Sequence, residues 1–204
     1  MPRQLRFLPV YGLTILVAAA LSVAQETKKT DKMPNFYPIE VGNTWHYKVN
    51  ADGKDANVTT KIAKHENIDG QVLARLESPN VTLTEHLKQT DKGVFRYRFN
   101  GAEVMPPFEL LPYPPTVGRK WKGEFTVQGE KGKNTYEGEI QKEEVVDVPA
   151  GKFKTLVVKI KLEGGGQQVD TTYWFVQDVG FVKQTFSVNG ATVLLELEKF
   201  ERKK

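Results

Sequence analysis

From residue 44 onward, apolar and polar side chains alternate along the chain. Trp45, Tyr47 and Val49 interleave with Thr44, His46 and Lys48, and Phe95, Tyr97 and Phe99 with Val94, Arg96 and Arg98. Trp121, Gly123, Phe125 and Val127 interleave with Lys120, Lys122, Glu124 and Thr126, and Val158, Ile160 and Leu162 with Val157, Lys159 and Lys161. A period of two puts the first member of each set on a buried face and the second in water, which is the pattern of a β-strand. Strands with one wet face pair antiparallel. Asp52-Gly53, Asp69-Gly70, Lys92-Gly93, Asn100-Gly101, Gly164 to Gly166 and Asn189-Gly190 fall between these runs. Such dipeptides supply the positive φ angles of tight hairpins. The pattern predicts an all-β fold: one curved antiparallel sheet of about ten strands (ten or eleven by the turn spacing), as a half-barrel, barrel or sandwich. Little helix is expected beyond a short turn near Glu109–Leu111.

The first 24 residues follow a different pattern. Arg3 and Arg6 precede an apolar stretch from Phe7 to Val23, which closes on Ser22-Val23-Ala24. A basic start, an apolar core and a small-x-small end make a secretory signal peptide. The alternative is an uncleaved anchor, but about 17 apolar residues broken by Pro9, Gly12 and Thr14 fall short of the roughly 20 that a span needs. The expected organisation is a signal peptide at 1–24, a flexible polar leader at 25–34, one β domain at 35–200 and a tail at 201–204. Gln25 stands where a lipoprotein would carry the acylated Cys, so no stable membrane anchor is expected after cleavage. The localisation implied is secreted or periplasmic.

Composition narrows the chemistry. There is no Cys, which excludes thiol nucleophiles, thiolate metal sites and redox pairs; a domain of about 180 residues needs no disulfides. The signal holds two of the 29 basic and none of the 25 acidic residues, leaving 27 against 25. The basic residues are interleaved with Glu rather than gathered in a stripe, so no nucleic-acid partner is expected. His46, His65 and His86 lack metal-ligand spacing, and alternation puts His46 and His86 on wet faces. No Gly-x-Ser-x-Gly elbow occurs, and Ser78 and Ser187 have no neighbouring base. Glu137, Glu139, Glu143 and Glu144 are the densest carboxylates; a hydrolase built on them is the least favoured reading, because they fall on a solvated strand face. Gly164 to Gly166 lacks the Lys-Ser/Thr and helix of a phosphate loop. No cofactor, metal or catalytic residue is predicted.

Two segments carry candidate binding residues. Val41-Gly42-Asn43-Thr44-Trp45 recurs as Val117-Gly118-Arg119-Lys120-Trp121. In each, a glycine turn leads into a strand with aromatic inward positions: Trp45 and Tyr47, then Trp121 and Phe125. These are core indoles at equivalent corners or the lining of a ligand cavity. Residues 104–116 hold five prolines yet carry Met105, Phe108, Leu110, Leu111 and Tyr113. Proline argues against a central strand or a helix here, so the segment reads as a semi-rigid apolar loop, either a lid on the sheet or a docking surface.

Val-Gly-x-x-Trp after Tyr37-Pro38, Val148-Pro149-Ala150-Gly151-Lys152-Phe153, and Tyr173-Trp174-Phe175 followed by Val179-Gly180-Phe181-Val182-Lys183 together resemble a group of exported bacterial β-proteins with no assigned activity. At greater distance the pattern is similar to the curved, incomplete barrels of periplasmic lipoprotein and lipid carriers, in architecture only. The resemblance covers residues 37–200 and implies a fold rather than a reaction. The expected function is an exported, non-enzymatic protein holding an apolar small molecule. The alternative is a structural or interaction module with an envelope protein as partner.

Overall fold

The computed structural model describes residues 34–188 and 190–203; the signal peptide and all but the last residue of the leader lie outside the described residues. Twelve strands follow in order: β1 (Thr44–Ala51), β2 (Lys54–Ile68), β3 (Gln71–Ser78), β4 (Leu83–Gln89), β5 (Gly93–Phe99), β6 (Ala102–Pro112), β7 (Lys120–Val127), β8 (Asn134–Val148), β9 (Gly151–Gly164), β10 (Gln167–Val176), β11 (Gly180–Val188) and β12 (Ala191–Glu201). Every strand pairs antiparallel with its chain neighbours, and β1 pairs with β12, from Thr44–Glu201 to Ala51–Val193. The sheet is therefore a closed up-and-down barrel. Closure removes the free edges that would template aggregation.

In such a meander successive turns alternate between the two ends of the barrel. One end carries the β2–β3, β4–β5, β6–β7, β8–β9 and β10–β11 connections and residues 34–43. This end is plugged. Tyr37 is buried and packs on Trp45 and Phe181, with ring centroids 6.0 and 6.2 Å away. Trp45 stacks on Phe200 at 5.2 Å, and Tyr47 on Phe181 at 5.1 Å. The polar tips find partners: Trp45 Nε1–H donates to the Val179 carbonyl at 2.6 Å and the Tyr47 hydroxyl to the Phe181 carbonyl at 3.0 Å. The plugging segment is tied down by Asp178 N–H to Asn35 O (2.6 Å) and Asn43 Nδ2–H to Pro38 O (3.1 Å).

The two Gly-x-x-Trp corners are structurally equivalent. Gly42 and Gly118 both have positive φ, +98° and +87°, a region that favours glycine. Gly42 N–H donates to Ile62 O and Ile62 N–H to Asn43 O; Gly118 N–H donates to Ile140 O and Ile140 N–H to Arg119 O, all at 2.7–3.0 Å. Both isoleucines are buried, and each sits at a register shift of its strand. Trp121 also repeats the anchoring bond of Trp45, donating to Glu109 O at 3.1 Å.

The proline-rich segment is not a loop. Residues 102–112 form β6, the strand by which the count exceeds the ten or eleven expected. Its ladder with β5 jumps from Arg98–Glu103 to Arg96–Phe108, and its ladder with β7 consists of Val104–Val127 and Met105–Thr126. Pro106 and Pro107, which lack an N–H, lie in the interval where neither ladder asks for one; this is how a strand paired on both sides accommodates them.

Candidate functional site

The other end of the barrel carries the β1–β2, β3–β4, β5–β6, β7–β8, β9–β10 and β11–β12 turns, and here the lumen is a cup. A cavity of about 310 Å³ is walled by Phe108, Phe125, Val104, Ile160, Leu162 and Val169, with Phe99, Val127 and Glu130 towards the turns. Its polar lining is Arg96, Tyr173, Thr171, Asn134 and Glu130. The volume falls at the small end of ligand pockets, and the mixture of apolar walls with a few convergent polar groups is their usual character. Two larger concavities lie on the charged face of β7–β9, lined by Lys120, Lys122, Lys159 and Lys161 interleaved with Glu137 and Glu139. There the charges neutralise one another, as in the Lys120–Glu139 pair at 3.4 Å, and exposed pairs of this kind hold little specificity.

At the depth of the cup Arg96 grips Glu85. Arg96 Nε–H donates to Glu85 Oε2 at 2.9 Å and Nη2–H to Oε1 at 3.1 Å. This two-point geometry is the strong form of the arginine–carboxylate pair. Phe99 and Phe108 each present a ring 5.5 Å from the guanidinium carbon. The two side chains retain 20% and 12% exposure, so the pair is largely withdrawn from water without being sealed. Burial works against the guanidinium charge, but Glu85 and the neighbouring Tyr173 and Tyr37 outweigh it and raise the Arg96 pKa further. Burial likewise pushes up the hydroxyls of Tyr37, Tyr47 and Tyr173, that of Tyr173 against the pull of Arg96.

Alternation puts Arg96 on the wet face of β5, with Phe95 and Tyr97 inward; the structure reverses this. Val94 is fully buried and Arg96 lines the lumen. Register shifts at Val94/Phe95 and Arg96/Arg98 change the phase of the strand, so Phe99, three residues from Arg96, also reaches the cavity. A bulge leaves no trace in composition, which is why alternation does not reveal Arg96 as a lumen residue; Glu85 enters the site as its partner across the β4–β5 ladder. His86 is corrected too: it is buried rather than wet, with Nε2 2.7 Å from Glu66 Oε2. The Lys64 ammonium, and after it His86, hold the Glu66 carboxyl down to about 2.

Of the nine candidate binding residues, Phe108 and Phe125 line the cavity. Trp45 and Tyr47 belong to the plug at the opposite end. Leu110, Leu111 and Tyr113 are buried in the core, and the Tyr113 hydroxyl accepts from Phe36 N–H at 3.1 Å. Trp121 covers Gly138 across the β7–β8 ladder. Met105 is 55% exposed. Because Phe108 and Leu111 are buried, neither is presented as a docking surface. Among the described residues no group of three or more His, Asp or Glu could hold a metal ion, and no helix is long and apolar enough to cross a membrane.

No protein-family model and no curated protein sequence matches the chain. Two crystal structures are similar in fold. One is a "putative lipoprotein" from Parabacteroides distasonis, at 14% identity and a TM-score of 0.48. The other is a "putative exported protein with YmcC-like fold" from Bacteroides fragilis, at 15% identity and a TM-score of 0.49. Each likeness covers 83% of this chain and all of the other. Similarity of this degree concerns the path of the chain alone.

Proposed function

We propose that this chain is an exported, non-enzymatic binding protein that holds a small, mainly apolar ligand in the open cup of its barrel. One observation carries the reading: the lumen is filled and plugged by aromatics at one end, yet keeps an apolar cavity of about 310 Å³ at the other. A protein interior without a ligand to hold is normally packed to the density of an organic crystal. The cup offers rigid walls and a fixed polar group, which suit retention. Its titratable lining is Arg96, Glu130 and Tyr173, with no His and no activated nucleophile, which fits storage or carriage better than bond-breaking. The signal-peptide pattern of residues 1–24 supports a role outside the cytoplasm.

The test is native mass spectrometry of the purified protein after incubation with an envelope lipid extract. Wild type should retain a bound species at about one per chain. Leu162→Trp, which fills the cup, should lose it, while Val145→Ser on the exposed face of β8 should not. Equal retention by all three proteins, or retention by none, would overturn the reading.

A further inference from the structure

We propose that the cup selects uncharged ligands carrying a hydrogen-bond acceptor, and rejects carboxylates and ammonium groups of the same shape. This rests on the cup being the binding site and goes on to its chemical preference.

The selection comes from how Arg96 is already used. A lone arginine at the base of an apolar pocket would call for an anion. Here its Nε and Nη2 are committed to both oxygens of Glu85, and the rings of Phe99 and Phe108 each lie 5.5 Å from its guanidinium carbon. Nη1 is not used by Glu85; beside it lies the Tyr173 hydroxyl, which also interacts with the guanidinium, so the remaining N–H of this edge and that hydroxyl are the donors left for a ligand in a cavity that both residues line. The charge at the depth of the cup is already balanced, one guanidinium to one carboxylate; Glu130, the other carboxylate of the lining, is exposed at the rim, where water screens it.

An incoming carboxylate would put two anions on one guanidinium in a site largely stripped of water. Like charges so placed are disfavoured, and an excess buried charge loses its hydration without compensation. An ammonium meets the converse difficulty, because the Glu85 oxygens are occupied and approach to them brings it against Arg96. A ketone, ester or amide oxygen can accept from Nη1–H without changing the charge of the site. Such a bond, to a charged donor, is of the stronger kind, and the ligand's apolar remainder contacts the walls.

The experiment uses matched trios of small molecules at neutral pH: cyclohexyl methyl ketone, cyclohexanecarboxylate and cyclohexylmethylamine, with benzamide, benzoate and benzylamine as an aromatic set. Each is titrated into the full mature protein while the amide resonances of Leu162 and Val169 are followed by NMR. The expected result is that the neutral member of a trio binds at least about tenfold more tightly than either charged member. A carboxylate that binds as tightly as its neutral partner overturns the inference while leaving the cup as the site. If no member of either set moves those amides, the binding reading itself fails and this inference falls with it. Glu85→Gln supplies a second readout. It frees the Arg96 charge, so the order within each trio should invert in favour of the carboxylate. An unchanged order in a folded Glu85→Gln protein would also overturn the proposal; the wild-type order decides by itself should that variant not fold.

Discussion

The indole of Trp121 packs against Gly138, its directly opposed partner on the neighbouring strand, and occupies the space that a Cβ at 138 would take. Two residues along, the relationship is exchanged: Gly123 faces Tyr136, whose hydroxyl would stand 2.6 Å from a Cβ on the glycine. Each aromatic thus shields the backbone of a glycine across the ladder. This matters at β7 because its ladder to β6 is only two residue pairs long, and Trp121 bridges that seam through its bond to Glu109 O.

Gly138→Ala should therefore displace Trp121 and strain the seam. The expected loss is about 1–3 kcal/mol, the range for an overpacked site, measured by urea denaturation. Thr135→Ala, an exposed position on the same strand, should stay within about 0.5 kcal/mol of wild type.

The Arg96–Glu85 pair should show the asymmetry of buried ion pairs. Arg96→Met leaves a carboxylate without its cation and should cost about 3–5 kcal/mol. The double substitution Arg96→Met with Glu85→Leu should recover most of that loss. A double-mutant cycle by chemical denaturation reads the coupling, and additive losses would contradict the buried pairing.

Glu66 gives the pH dependence a definite sign. Its carboxyl is lowered from an ordinary 4.5 to about 2, chiefly by Lys64 and then by His86. A depressed carboxylate contributes stability that is fully present above its unfolded pKa and is lost as pH falls through the folded one. Wild type should therefore exceed Glu66→Gln in stability at neutral pH. The gap should close between about pH 4.5 and pH 2, as followed by urea midpoints across that range.

Trp45→Phe keeps a ring to stack on Phe200 but removes the donor to Val179 O, 2.6 Å away. It should cost about 1 kcal/mol, since a partly buried carbonyl loses its partner. Thermal melting checks the loss, and ligand retention by the cup should be unaffected because Trp45 sits at the plugged end.

Much of this barrel is legible in the chain. The alternation at Trp45–Val49 and Trp121–Val127 agrees with the observed faces of β1 and β7, and that at Val158–Leu162 with β9 except that Val157, read as wet, is buried; side-chain period is a local property of extended backbone. The paired Gly-x-x-Trp corners are legible for the same reason, a positive φ demanding glycine in both. The phase of β5 is not. Its bulges are set by how it meets β4 and β6, and they turn Arg96 from the wet face into the lumen. The strand character of β6 is hidden too, since proline counts against a strand unless neither neighbour needs its N–H, and only the pairing of β5, β6 and β7 shows that here. Of the residues lining the cup, Phe125 occupies the inward strand position its alternation suggests and Phe108, read as part of a loop, reaches the lumen from a strand; Arg96 and Glu85 meet across the neighbouring β4 and β5, and Tyr173 joins them from the distant β10.

By itself the sequence determined most of the strands, β6 excepted, together with their antiparallel order and the two corners, because hairpins and pleats depend on residues within about ten positions of one another. Tertiary structure alone decided that the sheet closes, by joining Thr44 to Glu201 across nearly the whole domain. It also decided which end is stoppered by aromatics and which is left open over the Arg96–Glu85 pair. Those outcomes depend on the curvature and bulges of twelve strands taken together, which no short window of residues contains.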